Sequence, residues 1–273
     1  MTQKKYEITN STRRFHSPDT DSLQVAHQIR ALIDIPEKRV KKGQPGGYIT
    51  SEYNLSHYDT AWIERGTLVS HNARVEGDAT VENGHLFGHT LVTDNAYIDG
   101  PVWLRDDTIV EGNARILGRI STKGNPRIGG DCQIHAGARI SGNPTLEGDC
   151  IVEGRSEISD NAYLGGQAHI IDTRLTGSAK VTHDFHVFTS QVRLGERVFD
   201  VFMCKTDGEP QFHFPQWDGN TLREFEAFVK SGDWGKRYSY PMTAQTRALS
   251  QAELEHLVGA CRARVAYWDS LES

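Results

Sequence analysis

At 273 residues, the chain is long enough for one large domain or two small ones. Its formal net charge of −6, from 36 acidic and 30 basic residues, is small and mixed, which argues against a nucleic-acid partner. The N-terminus lacks the apolar segment of a signal peptide, and no apolar run of about 18 residues occurs, so we expect a cytoplasmic protein that makes no membrane contact.

Residues 1–58 are predicted to form an N-terminal β cap over one end of the segment that follows. Tyr6–Thr9 and Leu23–Ile35 carry apolar and β-branched residues at strand-like spacing, which indicates a small hairpin or meander. Gly43–Gly47 is interpreted as a turn rich in glycine and proline that leads into the next segment. It lacks the Lys-Ser/Thr pair of a phosphate-binding loop, which disfavours that function.

Residues 59–190 are organised by a period of six. From Val92 to Ile170 every sixth residue is aliphatic, with Thr122 as the one exception, and the residues two places earlier are nearly all small. A lone helix repeats its apolar face at 3.6 residues and a lone strand at 2, so a period of six predicts short strands joined by corners, three to a coil. The prediction is an all-β solenoid, a parallel β-helix of about seven coils with the aliphatic residues on its axis.

The pattern extends in both directions with two one-residue slips. The further inward residues are predicted to be Ile63, Val69, Val75, Val81, Phe87, Leu175, Val181 and Val187. Asn, Asp and Gly recur one coil apart, as tight corners with left-handed backbone require. Cys132 and Cys150 occupy equivalent inward positions, and we interpret them as separate core thiols rather than a disulfide or a metal site. A reducing cytoplasm is consistent with that interpretation.

Residues 191–273 are predicted to form a C-terminal α+β segment of strands and two helices. Val192–Phe202 alternates like a single strand, and Thr221–Lys230 has the pattern of a short amphipathic helix. Ser250 and Glu253 are spaced as a capping box that opens a second helix, which would run to about Trp268. The sequence leaves open whether this segment covers the other end of the solenoid, packs along a side or mediates assembly.

Beside the six-residue repeat, three short segments resemble a known family: Gly43–Ile49 (GQPGGYI), Asn54–Ser56 (NLS) and Ala61–Ile63 (AWI). The chain resembles the hexapeptide-repeat acyltransferase superfamily, and nearest to it are the uncharacterised YdcK-like proteins described as acetyltransferases. The resemblance implies a left-handed β-helix, a homotrimer, and acyl transfer to a small hydroxyl or amine acceptor in a groove between subunits. It also implies acyl-CoA or an acyl-carrier protein as co-substrate, with no permanently bound cofactor.

Acyl transfer to a hydroxyl or an amine needs a general base, and histidine is the usual one. Val181–Val187 (VTHDFHV) resembles the local pattern of the acyltransferases, which implies His183 as the general base with Asp184 beside it. Val69–Val75 (VSHNARV) resembles the same pattern and makes His71 the second candidate.

Other function classes remain open. Zinc catalysis, known in carbonic anhydrases of this fold, is not expected, because the pairs His85/His89 and His183/His186 each lack a third histidine ligand. A non-catalytic β-helix, of the kind that phages also encode, would recognise a protein or carbohydrate partner, and a third class is a purely structural unit. A catalytic protein should have a histidine-lined groove between subunits, whereas a binding protein should have an aromatic or charged flat face.

Overall fold

The computed structural model describes residues 4–18, 21–135, 137–238 and 242–271. It shows a parallel β-helix of about seven coils, which follows a cap of antiparallel N-terminal strands and precedes a C-terminal segment of strands and helices. The predicted fold class is therefore confirmed. The three sides of the solenoid are three parallel sheets, because each short strand pairs with its equivalent in the next coil.

The chain visits the three sides in a fixed order. Side one contains β3 (Pro45–Ile49), β5 (Leu68–Val69), β8 (Gly84–Leu86), β11 (Val102–Leu104), β14 (Ser121–Gly124), β17 (Arg139–Gly142), β20 (Glu157–Ile158) and β23 (Arg174–Leu175). Side two contains β6 (Arg74–Val75), β9 (Leu91–Val92), β12 (Ile109–Val110), β15 (Arg127–Ile128), β18 (Thr145–Leu146), β21 (Tyr163–Leu164) and β24 (Lys180–Val181). Side three contains β4 (Trp62–Ile63), β7 (Thr80–Val81), β10 (Tyr97–Asp99), β13 (Arg115–Leu117), β16 (Gln133–Ile134), β19 (Ile151–Glu153) and β22 (His169–Ile171).

The axis is filled as the period of six predicts. Each predicted axis residue from Val92 to Ile170 is buried, and nearly all of them belong to one continuous apolar cluster. Thr122 is buried as well, and its hydroxyl lies 2.7 Å from the hydroxyl of Thr108. The polar residue on the axis is thus satisfied by a second threonine from the coil before it.

The corners hold left-handed backbone. At the corner between sides one and two, His71, Gly88, Asp106, Gly124, Gly142, Asp160 and Gly177 all have positive φ. A Cβ added at Gly124 would lie 2.5 Å from the carbonyl oxygen of Gly142 in the next coil. Glycine is therefore required there by both the backbone angle and the close stacking of the coils.

One predicted axis residue faces the other way. Phe87 is buried, but it packs outside the solenoid with Phe15 and Tyr48 of the N-terminal segment. Leu86 takes the axis position instead, because it pairs in register with Val69 and Leu104. The first one-residue slip falls between Val81 and Leu86, and it turns the next side chain outward.

The two inward cysteines are joined. Cys132 and Cys150 form a disulfide with a Cα–Cα distance of 4.6 Å, so the prediction of separate thiols is wrong. Equivalent residues of adjacent coils lie one strand spacing apart, about 4.8 Å, and that distance falls within the range of disulfide geometry. Cys204 and Cys261 are free and buried.

The N-terminal strands extend side one. β1 (Tyr6–His16) pairs antiparallel with β2 (Leu23–Ala31), which pairs antiparallel with β3 at the first coil. The predicted turn at Gly43–Gly47 is wrong in its second half, because Gly46 and Gly47 belong to β3. A Cβ at Gly46 would come within 2.8 Å of both Trp62 and Ile29, so these glycines permit close packing rather than a turn.

Lys5 and Tyr6 seal the first coil. The Lys5 ammonium, whose side chain is almost fully buried, donates to the carbonyl oxygens of Asp59 (3.0 Å) and Ala61 (2.6 Å) and pairs with the Asp59 carboxylate (3.2 Å). The hydroxyl of Tyr6 donates to the carbonyl oxygen of Leu55 at 2.8 Å. These bonds satisfy carbonyl groups that the end of a solenoid would otherwise leave without a strand partner.

The C-terminal segment has its own apolar cluster. It consists of β25 (Val187–Leu194), β26 (Arg197–Cys204), β27 (Gln211–His213), α1 (Leu222–Ser231), α2 (Trp234–Arg237) and α3 (Ala244–Ser270). The region predicted as one strand is a hairpin instead, because Gly195 adopts positive φ and lets β26 turn back onto β25.

The predicted start of the last helix is also wrong. α3 begins at Ala244 behind the N-cap Thr243, and Ser250 and Glu253 lie inside it. Their side chains bind β25 and its turn: the Ser250 hydroxyl accepts from the backbone N–H of Gly195 at 3.1 Å, and the Glu253 carboxylate accepts from that of Arg193 at 2.7 Å. Residues that match a capping box are thus used to dock the helix.

Replacing Ile140 by Asp should abolish folding. Ile140 is 1% exposed on the axis, and an unpaired buried carboxylate costs several kcal/mol, a large part of the ~5–15 kcal/mol stability of a typical domain. Ile171→Asp is the matched control, because Ile171 is 51% exposed on side three. Circular-dichroism melting should show a cooperative transition only for the control. A wild-type Tm for Ile140→Asp would contradict the axial packing.

Candidate functional site

His183 and Asp184 lie at the last coil, where the solenoid joins the C-terminal segment. Both are exposed, and His183 is the N-cap of a short 3-10 turn, Asp184–His186. The His183 ring stacks on Phe185 with ring centroids 4.8 Å apart, and its Nδ1 lies 3.1 Å from the Thr182 hydroxyl. The Asp184 carboxylate accepts from the backbone N–H of Phe185 at 2.7 Å, so it is held by its own turn rather than by His183.

His71 is held by two serines beneath the N-terminal strands. Its Nε2 lies 3.0 Å from the hydroxyl of Ser17, and its Nδ1 lies 2.9 Å from the hydroxyl of Ser70. Both serines are buried. Since both ring nitrogens already have partners, this histidine fixes the corner against the cap in the structure as it stands.

The candidate histidines are not brought together within one chain. His71 occupies a corner between sides one and two in an early coil, as its register with Gly88 shows. His183 follows β24 in the last coil and lies next in line after Gly166, at the corner between sides two and three. The roles assigned to His183, Asp184 and His71 therefore stay predictions.

A third histidine, His85, is half-buried under the N-terminal strands on side one. The Nε2 atom of His85 lies 3.0 Å from the Arg13 guanidinium, and its ring packs against Phe87 and Trp103 at centroid distances of 5.9 and 4.8 Å. Burial, together with the positive charge of Arg13, lowers the pKa of His85 to about 4. His85 is thus neutral at pH 7 and accepts a hydrogen bond from Arg13.

Beyond His85, side one presents a regular grid of outward side chains. The middle column runs through Trp103, Ser121, Arg139, Glu157 and Arg174, which pair in register from coil to coil. The column beside the corner with side three contains Pro101, Arg119, Gly137 and Arg155, and the column beside side two contains Arg105, Lys123, Ser141 and Ser159. Within these columns Glu157 is the one acidic side chain, and Asp172 follows Arg155 at the corner with side three, where its carboxylate accepts from the backbone N–H of Arg155 at 2.8 Å.

A cavity of about 720 Å³ opens in the middle of this grid. We call it the arginine recess, and it is lined by Trp103, Arg105, Arg119, Ser121, Gly137, Arg139, Arg155 and Glu157, with Pro101, Ile120 and Ala138. The small residues Ser121 and Gly137 form its floor between larger neighbours in the coils on either side. Trp103, which is 38% exposed, forms one wall.

The arginines of the recess are short of acidic partners. Arg139 lies 3.4 Å from the Glu157 carboxylate, and the same carboxylate is 3.5 Å from Arg174. Among the described residues, Arg105, Arg119 and Arg155 form no ion pair. The Arg105 guanidinium lies over the Trp103 ring at 5.2 Å, and its buried Nε has no hydrogen-bond partner in the described part of the chain.

This concentration of positive charge is confined to side one. Over the same coils, side two pairs Arg127 with Glu111 at 2.6 Å, and it also presents Glu147 and Lys180. Side three presents two acidic side chains, Asp99 and Glu153, and one basic side chain, Arg115. A chain with a net charge of −6 therefore has one basic face, and a fixed guanidinium fork binds a carboxylate or a phosphate through two parallel hydrogen bonds.

The arginine recess is not predicted by any local motif of the sequence. The candidate histidines stand in short motifs, whereas the arginines are spread over several coils and share none. The available signal was the 18-residue register: aligned on it, Arg119, Gly137 and Arg155 fall in one column, and Trp103, Ser121 and Arg139 fall in the next. Periodicity that locates the axis also locates the outward columns.

Within the described ranges, no group of three or more His, Cys, Asp or Glu residues is placed to hold a metal ion, and no helix is both long and apolar enough to cross a membrane. In comparisons with known proteins, no protein-family model matches the chain, and no curated protein is significantly similar to it.

His85 should make stability depend on pH. Its folded pKa, about 4, lies below the unfolded value of about 6.5, so the unfolded chain binds the proton more readily. The contribution of neutral His85 to the free energy of unfolding is therefore complete above about pH 6.5, and it is lost as the pH falls toward 4. We expect the decrease in Tm between pH 7 and pH 5 to be smaller for His85→Gln than for the wild type.

The exposed His256 on α3 provides a control. The variant His256→Gln should keep the wild-type dependence of Tm on pH in the same calorimetric series. If Tm changed equally with pH in His85→Gln and in the wild type, the pKa of His85 would not be lowered in the folded protein.

Proposed function

We propose that this protein is a binding β-helix whose arginine recess takes an organic anion, a ligand in which a carboxylate or phosphate group adjoins a ring. The observation that supports this most directly is the group of arginines around one cavity, three of them without an acidic partner in the described structure. Keeping like charges together costs free energy, and an anionic ligand would remove that cost.

Trp103 gives the recess an apolar wall beside its charges. The ring packs against His85 and has the Arg105 guanidinium over it at 5.2 Å, and the small Ser121 of the next coil leaves Trp103 38% exposed beside the recess. A ligand ring would stack on that surface, with its acidic group directed at Arg119, Arg139 or Arg155. Tryptophan and arginine are, with tyrosine, the side chains enriched among the residues that dominate binding energy at protein interfaces.

Acyl transfer is the second candidate. The same recess chemistry suits acyl-CoA, the co-substrate that the family resemblance implies, because that molecule combines phosphates with an aromatic ring. Within one chain, His183 and Asp184 lie at a different corner from the recess, so they would serve it only from a neighbouring subunit of the implied homotrimer. A sedimentation mass near 30.5 kDa would contradict this arrangement.

Arg119→Gln and Arg155→Gln should each weaken anion binding about tenfold, which corresponds to about 1.4 kcal/mol. Each substitution removes one charge-assisted hydrogen-bonding group, and an exposed arginine falls at the lower end of the range for such groups. Titration with pyrophosphate, acetyl-CoA and trigalacturonate, followed by tryptophan fluorescence, measures the affinity. Trp103→Phe should remove the signal, since it replaces the tryptophan of the recess among the five in the chain.

Arg127→Gln is the matched control, because it removes the same charge from side two and should leave each affinity unchanged. If Arg127→Gln weakened anion binding equally, the effect would come from the net charge of the protein and not from the recess. Failure of all three probes to bind, or wild-type affinity in Arg119→Gln and Arg155→Gln, would exclude the recess as a binding site.

If acetyl-CoA is consumed with any amine or hydroxyl acceptor, His183→Ala should lower the rate by about 10²–10⁴-fold, the loss typical of a missing general base. Binding of acetyl-CoA and Tm should change little, because His183 is exposed and lies away from the recess. A full rate in His183→Ala would contradict its assignment, and the same assay on His71→Ala would then test the second candidate.

A further inference from the structure

We infer that side one binds one chain of an acidic polysaccharide, laid along the solenoid axis across the arginine recess. This inference rests on the proposed function and extends it from a single anionic group to a row of them. The observation behind it is that the basic grid continues past the recess, to Lys123 beside it and to Arg174 in the coil after Glu157.

The basic residues recur at the spacing of the coils. Strands of neighbouring coils lie about 4.8 Å apart, so the face from Trp103 on β11 to Arg174 on β23 is about 19 Å long. Nearly every coil along it adds a guanidinium or an ammonium group. A small anion would use one or two of these groups, whereas a polymer with a charge on each unit would use them all.

Both ends of this face are closed. At one end, Arg13 of the N-terminal strands contacts His85, which packs on Trp103. At the other end, a guanidinium nitrogen of Arg174 lies 3.1 Å from His213 of β27. The face therefore has a defined length, and it accommodates a short stretch of a polymer between the two end segments.

The edges of the face select a narrow ligand. Acidic corner residues flank it, with Asp106 and Asp160 on the edge toward side two and Asp172 on the edge toward side three. A duplex nucleic acid would bring phosphates over these carboxylates, and like charges repel at such distances. A single chain confined to the grid avoids them.

The side chains between the charges suit sugars better than bases. The hydroxyls of Ser121, Ser141 and Ser159 have no hydrogen-bond partner among the described residues, and they line the grid beside the arginines. Single-stranded nucleic acid is commonly held by several aromatic side chains under successive bases. From Pro101 onward, this face offers one, Trp103. Hydroxyl-rich acidic sugars match a surface of hydroxyls, guanidinium groups and a single ring.

Chain length provides the test. Oligogalacturonates of three, six and twelve units are titrated against the wild type and against the double variant Lys123→Gln/Arg174→Gln, whose substitutions lie outside the recess. The wild type should bind the six-unit chain at least tenfold more tightly than the three-unit chain, with little further gain at twelve units because the face is closed at both ends. The double variant should lose most of that gain and should keep wild-type affinity for three units.

The control double variant Arg74→Gln/Arg127→Gln removes two charges from side two and should behave as the wild type. Heparin-derived chains of the same lengths show whether sulfate replaces carboxylate, and either acid supports the inference. Equal affinity at all lengths, or no binding of either acid at any length, would refute the polysaccharide. The proposed function is tested separately, because it fails only if pyrophosphate and acetyl-CoA also do not bind. Tighter binding of single-stranded DNA of matched charge would assign the face to nucleic acid instead.

Discussion

The structure depends on hydrogen bonding between equivalent backbone groups of successive coils. The backbone N–H of Arg127 donates to the carbonyl oxygen of Pro144 at 2.9 Å, and that of Arg139 donates to the carbonyl oxygen of Ser156 at the same distance. Such bonds fix each coil directly over the next in parallel register. Because a strand alternates inward and outward side chains, every outward position acquires a neighbour of the same orientation one strand spacing away.

This stacking turns sequence positions one coil apart into columns, and columns concentrate whatever chemistry they contain. Asn95 and Asn113 form such a column on a corner, where their amides are 3.1 Å apart, and Asn113 continues it to Asp131 at 2.7 Å. In each of those contacts a side-chain amide N–H donates to an oxygen of the next side chain in the column. On side one the columns bring arginines together instead, and the shared Glu157 compensates only part of their charge. Contacts between equivalent side chains of successive coils thus stabilise the corner column, whereas on side one part of the positive charge has no acidic partner.

The axis, corners and number of coils could be predicted from the sequence because each is a strictly periodic property. The direction of Phe87 could not be predicted. A one-residue slip reverses the direction of the side chain, and the apolar pattern does not show whether Leu86 or Phe87 points to the axis after the slip. The role of Ser250 and Glu253 could not be predicted either, because a capping box and a pair that docks a helix onto a strand use the same residue types at the same spacing. The arginine recess has no local signature, since its residues are far apart in sequence and meet only through the register.

The two end segments set the extent of the basic face as well as protecting the solenoid. Lys5 and β2 form hydrogen bonds with backbone groups of the first coil. At the other end, the backbone N–H of Lys180 on the last strand of side two donates to the carbonyl oxygen of Lys205 at 2.7 Å. An exposed strand edge would recruit further strands, so a solenoid needs such covers. The same covers approach side one through Arg13 and His213, where they contact the grid. The number of coils between them therefore determines how many outward rows are available to a ligand, and adding or removing one coil would change the length of the face by one strand spacing.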